Sequence, residues 1–303
     1  MNKRRRGEQG MALIVTMMIV AIMTAMVVEF TYGVYTTNAA LQNWEEAQRL
    51  SLVAGSGITL AAKIISDNQC RYSYTSPGKV EIPADNILDG FGGRVLLRVE
   101  DENAKFNLNA LLWPNGKTNE TAQDAFRRLL VNLSLDKTIA AKVADWIDND
   151  SEPRLGNSEE GAKNACMDSV DELLLIKGMD LQTYEKILPY VTVYGVDRIH
   201  SNLVNINTAS IPVIMSFDNN ITEELAERIV HYRALEPFER ISDILRVAGF
   251  EGSLGQSLMN KMTVKASNLR ITSIAEDNKI KRIIECVVEV KGSDIITKYW
   301  RET

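Results

Sequence analysis

An uncharged apolar stretch near the N-terminus constrains the fold of this chain more than any other feature. Residues 11–28 read MALIVTMMIVAIMTAMVV. At about 1.5 Å per residue, a helix of this length covers roughly 27 Å, close to the roughly 30 Å of a bilayer core. Lys3, Arg4, Arg5 and Arg6 precede it. By the positive-inside rule, the N-terminus lies in the cytoplasm and the bulk of the chain lies on the other side of the membrane.

The apolar stretch is predicted to continue into a long helix. Neither a proline nor a small-residue cleavage pattern follows Val28, which argues against a conventional cleaved signal peptide. Apolar residues then recur at helical spacing at Leu41, Trp44, Ala47, Leu50, Val53, Ile58, Ala61 and Ile65. We therefore predict one helix over residues 11–65, transmembrane over 11–32 and amphipathic beyond. A plain signal anchor is the alternative interpretation.

The leader resembles a known class of membrane protein precursor. A basic segment ending in Gly10, followed by Met11 and an unbroken apolar helix, is similar to the precursors of type IV pilins and type II secretion pseudopilins. The resemblance implies a leader peptide over residues 1–10. It also implies cleavage between Gly10 and Met11 by a prepilin peptidase, and methylation of the new N-terminal amine.

One position departs from the general pilin pattern. Mature pilins usually carry Glu at their fifth residue, and Val15 stands there in this chain. A carboxylate inside a bilayer needs a partner, and in pilins that Glu is thought to pair with the N-terminal amine of a neighbouring subunit. A chain without it resembles the minor pseudopilin K family, whose members lie at the fibre tip, where no subunit lies above.

The exported part has strand signals at both of its ends. Residues 71–86 contain two prolines and a glycine and predict a loop, and residues 93–100 predict a strand. Three further strands are predicted at 269–275, 280–290 and 294–300, as an antiparallel meander. Helical signals dominate between these groups.

The expected fold class is therefore α+β. The long N-terminal helix would pack on a small antiparallel sheet formed by residues 66–104 and 266–303. A large helical domain, residues 105–265, would be inserted into that sheet. The segment FNLNA at 106–110 matches VNINT at 204–208, which indicates that the inserted domain contains two copies of one unit.

Each copy resembles a helix-hairpin-helix element. The hairpins centre on Gly178 and Gly249, where a positive φ is expected. Such elements often bind DNA through backbone N–H groups, so a membrane-anchored DNA receptor is the alternative function. Asp180 and Glu251 stand where DNA-binding forms typically have a second Gly, and the formal charge of the chain is -6. Because acidic surfaces repel phosphates, we expect no nucleic-acid partner.

The first copy carries an acidic insertion. Trp146 and Gly178 are 32 residues apart, whereas their equivalents in the second copy, Tyr232 and Gly249, are 17 apart. Hard cations such as calcium take six to eight oxygen ligands, which such a segment can supply. A solvated acidic loop is the simpler alternative.

The motif at the start of the insertion favours a calcium site over a solvated loop. DWIDND at 145–150 resembles a stretch of the calcium-binding domain of the pseudopilin K family. The resemblance implies structural calcium, and the implied ligands are Asp148, Asp150, Glu159 and Glu160. Asn157 and Ser158 depart from the small residues that the family carries before its two acids.

Cysteine and histidine are scarce. Of the three cysteines, Cys286 lies in a strand pattern and is expected in a core, whereas Cys70 and Cys166 could form a disulfide in an oxidising compartment. Around His200 and His231, the two histidines, the sequence shows no converging acid, base and nucleophile. We therefore expect no enzymatic activity.

The resemblance implies a function in protein export. A member of this family would be a minor pseudopilin at the tip of the type II secretion pseudopilus, initiating or capping its assembly. It would cross the inner membrane once, with its soluble domain in the periplasm. Its implied partners are the minor pseudopilins I and J and the prepilin peptidase.

Overall fold

A computed structural model describes residues 3–71, 80–83, 92–150, 152–156, 158–196, 198–277, 280–292 and 294–303. For residues 3–10, 68–71 and 80–83 it describes the backbone alone. The α-helices are α1 (Lys3–Arg71), α2 (Glu120–Asn132), α3 (Ile139–Ile147), α4 (Leu181–Ile187), α5 (Ile211–Ser216), α6 (Glu223–Leu235) and α7 (Ser253–Met259). The strands are β1 (Val80–Pro83), β2 (Arg94–Asp101), β3 (Phe106–Asn107), β4 (Val191–Thr192), β5 (Val204–Asn205), β6 (Met262–Thr263), β7 (Asn268–Asp277), β8 (Ile280–Lys291) and β9 (Asp294–Glu302). Short 3-10 helices lie at Glu102–Ala104, Leu108–Leu111, Val170–Leu175, Leu188–Tyr190 and Ile241–Arg246.

Helix α1 confirms the predicted continuous helix and is longer than predicted. It begins within the basic leader and ends at Arg71, because no proline interrupts this segment. Within the described residues, α1 is the one helix long and apolar enough to cross a membrane. Among the described residues, the apolar side chains from Met11 to Val28 are exposed, and Met17 and Met26 are each 67% exposed. Such a surface is unfavourable in water and suits lipid, which is consistent with anchoring in a membrane.

The second half of α1 packs on a sheet. Leu50, Ala54 and Ile58 are buried there, whereas Leu41 and Trp44 of the same sequence pattern are exposed. The hydrophobic cluster under the helix contains Leu50, Ala54, Ile58, Ala61, Ala62, Ile65, Val95, Leu97, Ala266, Leu269, Ile271, Ala275, Ile284, Cys286, Val288 and Val290. Cys286 is thus a core residue, as predicted.

Five strands of the described chain form this antiparallel sheet, in the order β1-β2-β7-β8-β9. The predicted meander of β7, β8 and β9 is confirmed. The predicted loop over residues 71–86 is wrong at Val80–Pro83, which forms β1 and pairs with β2. A proline is tolerated there because β1 is an edge strand, and the pairing depends on a partner that the local sequence does not reveal.

The chain leaves the sheet at Asp101 and returns to it at Asn268. Asp101 lies opposite Leu269 in the register of β2 and β7, so the exit and the return are neighbours. Residues 102–267 form the segment between them, called the helical body here. It has a hydrophobic cluster of its own, in which Phe106 stacks on Phe126 with ring centroids 5.2 Å apart. The exact domain limits given above stay a prediction.

The internal repeat organises the helical body. Strand β3 pairs in parallel with β4, and β5 pairs in the same way with β6, so each copy is closed by its own first and last segments. Gly178 and Gly249 have φ values of +83° and +96°, in line with the predicted positive φ. The element before each glycine is a 3-10 helix rather than an α-helix.

Candidate functional site

The described residues of the acidic insertion, 148–150, 152–156 and 158–168, form a loop between α3 and the 3-10 helix Val170–Leu175. Asp145 lies in the last turn of α3 and is fully buried, and Asp148, which ends α3, is 1% exposed. Gly156 and Gly161 have positive φ values, which lets the loop turn back on itself. The buried end of an α-helix and the returning loop thus bring acidic side chains together.

Three carboxylates converge at this point. Asp145, Asp148 and Glu159 each place one oxygen within 4.8 Å of the others, and they are called the acidic cluster below. Asp148 Oδ1 and Glu159 Oε1 are buried and accept no hydrogen bond from any described residue. Buried charges are normally paired or bound to a metal. The two oxygens could therefore accept a cation as a partner.

One basic side chain enters the cluster. Arg154 Nη1 lies 2.5 Å from Asp145 Oδ1 and also contacts Asp148 Oδ2. Its backbone N–H donates to Asp145 Oδ2 at 2.9 Å, and that same oxygen accepts a hydrogen bond from the Ser158 hydroxyl. Asp145 is consequently satisfied by the chain itself, whereas Asp148 and Glu159 each retain an unpaired oxygen.

The pKa values of two carboxylates in the cluster, Asp148 and Glu159, are raised. Burial raises the pKa of Asp148, and Arg154 offsets only part of that effect. The pKa of Glu159 is raised by desolvation and then by the charges of Asp148 and Asp145. Each cause disfavours the ionised carboxylate. A further positive charge near Asp148 and Glu159 would favour their ionised forms.

The structure brings together two of the four predicted ligands. Asp148 and Glu159 belong to the cluster. Asp150 turns its Oδ1 to the backbone N–H of Glu152 at 2.9 Å, while its charge still raises the pKa of Asp148. The carboxylate of Glu160 forms an ion pair with Lys177 on the exposed surface, which lowers its pKa. The ligand set as a whole stays a prediction.

Sequence reasoning did not single out Asp145 as a member of the cluster or Arg154 as its partner. Asp145 belongs to the DWIDND motif. It lies at the end of α3 and is the most deeply buried carboxylate of the cluster. Arg154 is the one basic residue between Asp148 and Lys163, a signal that could have been found by eye. Its contact with Asp145 depends on how the loop folds back, which no sequence pattern shows.

The far end of the acidic loop is held by a second polar group. Trp146 Nε1 donates to Glu172 Oε2 at 3.1 Å, and Lys163 Nζ lies 2.9 Å from Glu172 Oε1. Ser169 and Glu172 form a capping box at the start of the 3-10 helix Val170–Leu175. These contacts hold the two ends of the loop together.

The other predicted sites are tested less directly. Cys166 is a free thiol in the described chain, with Sγ 3.8 Å from His200 Nε2. The side chain of Cys70 lies outside the described residues, so the disulfide stays a prediction. Gly10 and Met11 lie within α1, and cleavage and methylation between them stay predictions as well.

At the two hairpins, backbone N–H groups that could bind a DNA phosphate are already used by the chain. At the second hairpin, the backbone N–H of Gly249 donates to Glu251 Oε2 at 2.8 Å. At the first, Asp180 Oδ1 accepts from the backbone N–H of Thr183 at 2.6 Å. Carboxylates of the chain therefore use N–H groups with which such elements bind phosphate. This geometry favours a structural use of the hairpins.

Two family models match the helical body. Both are described as type II secretion system (T2SS), protein K, and they match residues 104–196 and 204–265, together half of the chain. The chain is also similar to curated proteins called type II secretion system protein K. It is 24% identical to that of Dickeya chrysanthemi over 311 residues, covering 86% of this chain and 87% of that protein. For the Pseudomonas aeruginosa protein the identity is 26% over 272 residues, covering 80% and 77%.

A solved structure shares the fold. The chain matches one chain of the GspK-GspI-GspJ complex from enterotoxigenic Escherichia coli with a TM-score of 0.69. The match covers 86% of this chain and 98% of that chain, at 19% sequence identity. The predicted α+β architecture, with a long helix on an antiparallel sheet and a helical insertion, is thereby confirmed.

Proposed function

Because the chain belongs to the type II secretion system protein K family, we propose that it is a minor pseudopilin at the tip of the pseudopilus. There it initiates or caps the fibre that serves protein export across the outer membrane. The observation that carries this proposal is the combination of a long apolar helix with a helical body larger than the sheet that bears it. The helix can pack laterally among other helices, and the body can obstruct the addition of a further subunit.

The position in the fibre is tested by labelling. A peptide tag on the exposed C-terminal end of β9 should be detected at one end of each pseudopilus by electron microscopy. Label distributed along the fibre would contradict the tip position. An untagged chain in the same host gives the background.

The basic leader and the apolar first part of α1 support the proposal that the chain is made as a precursor. The precursor would be processed and retained in the inner membrane, with the rest of the chain in the periplasm. Cleavage between Gly10 and Met11 would leave 11–28 as the anchoring segment. The intact mass of the chain from host membranes tests this directly, because cleavage and methylation give a mass that starts at methylated Met11. A chain that retains Met1 would instead be a plain signal-anchored protein.

The partners follow from the same membership. The matched structure is a complex of GspK with GspI and GspJ, and we extend that assembly to this chain. Exposed apolar residues of α1, among them Leu52 at 75% exposure, give the helix a surface for lateral contact. Copurification of the tagged chain with the I and J pseudopilins of its host tests the proposal. Recovery without either would contradict it.

We further propose that the acidic cluster binds structural calcium. Asp145, Asp148 and Glu159 would hold the ion, with backbone carbonyls and water completing the six to eight oxygens that calcium takes. The unpaired Asp148 Oδ1 and Glu159 Oε1 support this fit. When bound, the ion supplies positive charge and ties the acidic loop to the end of α3.

The calcium proposal predicts a stability effect that depends on the metal. In the full chain in detergent, Asp148→Ala should abolish the rise in melting temperature that calcium produces, since a ligand stabilises only the state that binds it. Asp124→Ala is the matched control, because Asp124 is exposed on α2 and pairs with Arg127. An equal calcium response in Asp148→Ala and the unmodified chain would contradict the proposal.

A further inference from the structure

Arg154 occupies the position from which a cation would bind the acidic cluster. Its Nη1 is shared between Asp145 and Asp148, two of the three proposed calcium ligands. We propose that Arg154 is a built-in counter-ion, which fills the cluster without the metal and leaves it when a divalent cation binds. This inference rests on the proposed calcium site, and it adds that Arg154 sets the affinity of that site.

The charges explain why the guanidinium can be displaced. One positive charge faces three carboxylates, and Asp148 Oδ1 and Glu159 Oε1 remain buried without a partner. A divalent cation carries twice the charge in a smaller volume and can use these two oxygens. Arg154 therefore holds the cluster together without saturating it.

The guanidinium and the cation exclude each other. Calcium binds oxygens at about 2.3–2.6 Å, and Arg154 Nη1 already lies at 2.5 Å from Asp145 Oδ1. Two cations cannot share that oxygen at such distances without strong repulsion. Because Asp145 Oδ2 is already held by the Arg154 backbone N–H and the Ser158 hydroxyl, Asp145 can bind the metal only through Oδ1, and the Arg154 side chain must then move.

The surrounding contacts provide a route for that movement. The Arg154 side chain is 26% exposed, and its Nη2 donates to Thr118 Oγ1 at 3.1 Å. The guanidinium can swing towards Thr118 and solvent. Meanwhile the Arg154 backbone N–H and the Ser158 hydroxyl still hold Asp145 Oδ2. The side chain is released while the loop that carries it stays in place.

A static ion pair and a displaceable counter-ion make different predictions for Arg154→Gln. A static pair stabilises the chain equally with and without calcium, and its removal leaves calcium affinity unchanged. A displaceable counter-ion competes with the metal. Its removal destabilises the chain in chelator and makes calcium binding tighter, by about tenfold or more.

The test is calcium chloride titrated into the full chain in detergent by calorimetry, with melting temperatures measured in chelator and in saturating calcium. Arg154→Gln should bind calcium at least about tenfold more tightly than the unmodified chain. Its melting temperature should be lower in chelator and equal in saturating calcium. Arg127→Gln removes the same charge from an exposed pair on α2 and should change neither quantity.

The outcomes separate this inference from the calcium proposal. Calcium binding of equal affinity in the unmodified chain and Arg154→Gln overturns the inference and leaves the calcium site standing. Absence of binding in both overturns both. Binding by Arg154→Gln alone also overturns both, since Arg154 then blocks the site and is not displaced by the metal. If Arg154→Gln does not fold, the Arg154 guanidinium 15N signals of the unmodified chain decide: they should shift on calcium addition, and unchanged signals overturn the inference.

Discussion

Two buried asparagines make equivalent hydrogen bonds in the two copies of the repeat. Asn109 accepts from the Met167 backbone N–H at 2.8 Å and donates to the carbonyls of Met167 and Val193, both at 3.0 Å. Asn207 makes the equivalent bonds with Phe238, at 2.9 Å each, and donates to Val264. A buried amide that satisfies three backbone groups is costly to replace. These residues fix the start of each copy to its end.

Asp101 is an acid at the point where the chain leaves the sheet. It accepts hydrogen bonds from Asn205 Nδ2 at 2.7 Å, from Thr208 Oγ1 at 2.5 Å and from the Asn103 backbone N–H at 2.7 Å. Burial outweighs these bonds and raises its pKa to about 6, from an ordinary 3.8. Its neighbour Glu102 behaves oppositely, because Lys105 and Arg270 overcome burial and lower its pKa to about 2.

These directions predict the pH dependence of stability. Between about pH 4 and 6 the folded chain holds a proton on Asp101 that the unfolded chain has lost. The free energy of unfolding should therefore fall by about 3 kcal/mol as the pH rises through this window. Glu102 affects stability in a lower pH range. Its contribution to the free energy of unfolding is present above pH 4.5 and is lost as the pH falls towards 2.

The variant Asp101→Asn checks the contribution of Asp101. Chemical unfolding of the full chain in detergent, measured at pH 4 and pH 6.5, should show a smaller decrease in the variant than in the unmodified chain. The decisive quantity is the difference between the two pH values within each chain, which is insensitive to any constant cost of the substitution. Identical decreases in the two chains would refute the assignment to Asp101.

At the scale of elements, α1 approaches the sheet most closely at Gly57. A Cβ there would lie 2.5 Å from Ser273 Oγ and 2.8 Å from Leu97 Cδ2. Gly55 faces a more open part of the same interface, with Ile284 Cδ1 at 3.9 Å from an added Cβ. The two glycines lie two residues apart on one helix. Alanine substitutions at the two positions therefore separate the effect of packing from the effect of helix propensity.

We expect Gly57→Ala to lower the free energy of unfolding by about 1–3 kcal/mol, because overpacking forces α1 away from β2 and β7. Gly55→Ala should be neutral or stabilising by up to about 1 kcal/mol, because alanine favours the helix. Chemical unfolding of both variants in detergent gives the comparison. Equal effects of the two substitutions would show that the close approach at Gly57 carries no packing constraint.

Most helices and strands could be predicted because they depend on sequence patterns between residues that are close together in the chain. The apolar period revealed α1, turn residues separated β7, β8 and β9, and the repeat exposed both hairpins. Strand β1 was missed because its four residues gain their structure by pairing with β2. Arg154 was missed for a related reason, since its significance comes from a contact across a folded loop. Local periodicity carries no information about such partners.

At the scale of the whole molecule, the closeness of Asp101 and Leu269 makes the helical body separable from the sheet. Replacing residues 102–267 by a short turn would join β2 to β7 as an ordinary hairpin. If the body obstructs subunit addition, this variant should be incorporated along pseudopili instead of at one end. Electron microscopy of the tagged variant gives the measurement. A tagged variant that still marks one end alone would show that the body does not limit growth.

The same attachment determines how mechanical force would pass through the molecule. Tension or compression along α1 reaches β7 and β8 directly, through the buried side chains between Leu50 and Ile65. The helical body is joined to adjacent ends of β2 and β7, and it reaches the cluster under α1 at Ala266. Force along α1 would therefore enter the helical body near its two ends, whereas its hairpins pack in a hydrophobic cluster separate from the one under the helix.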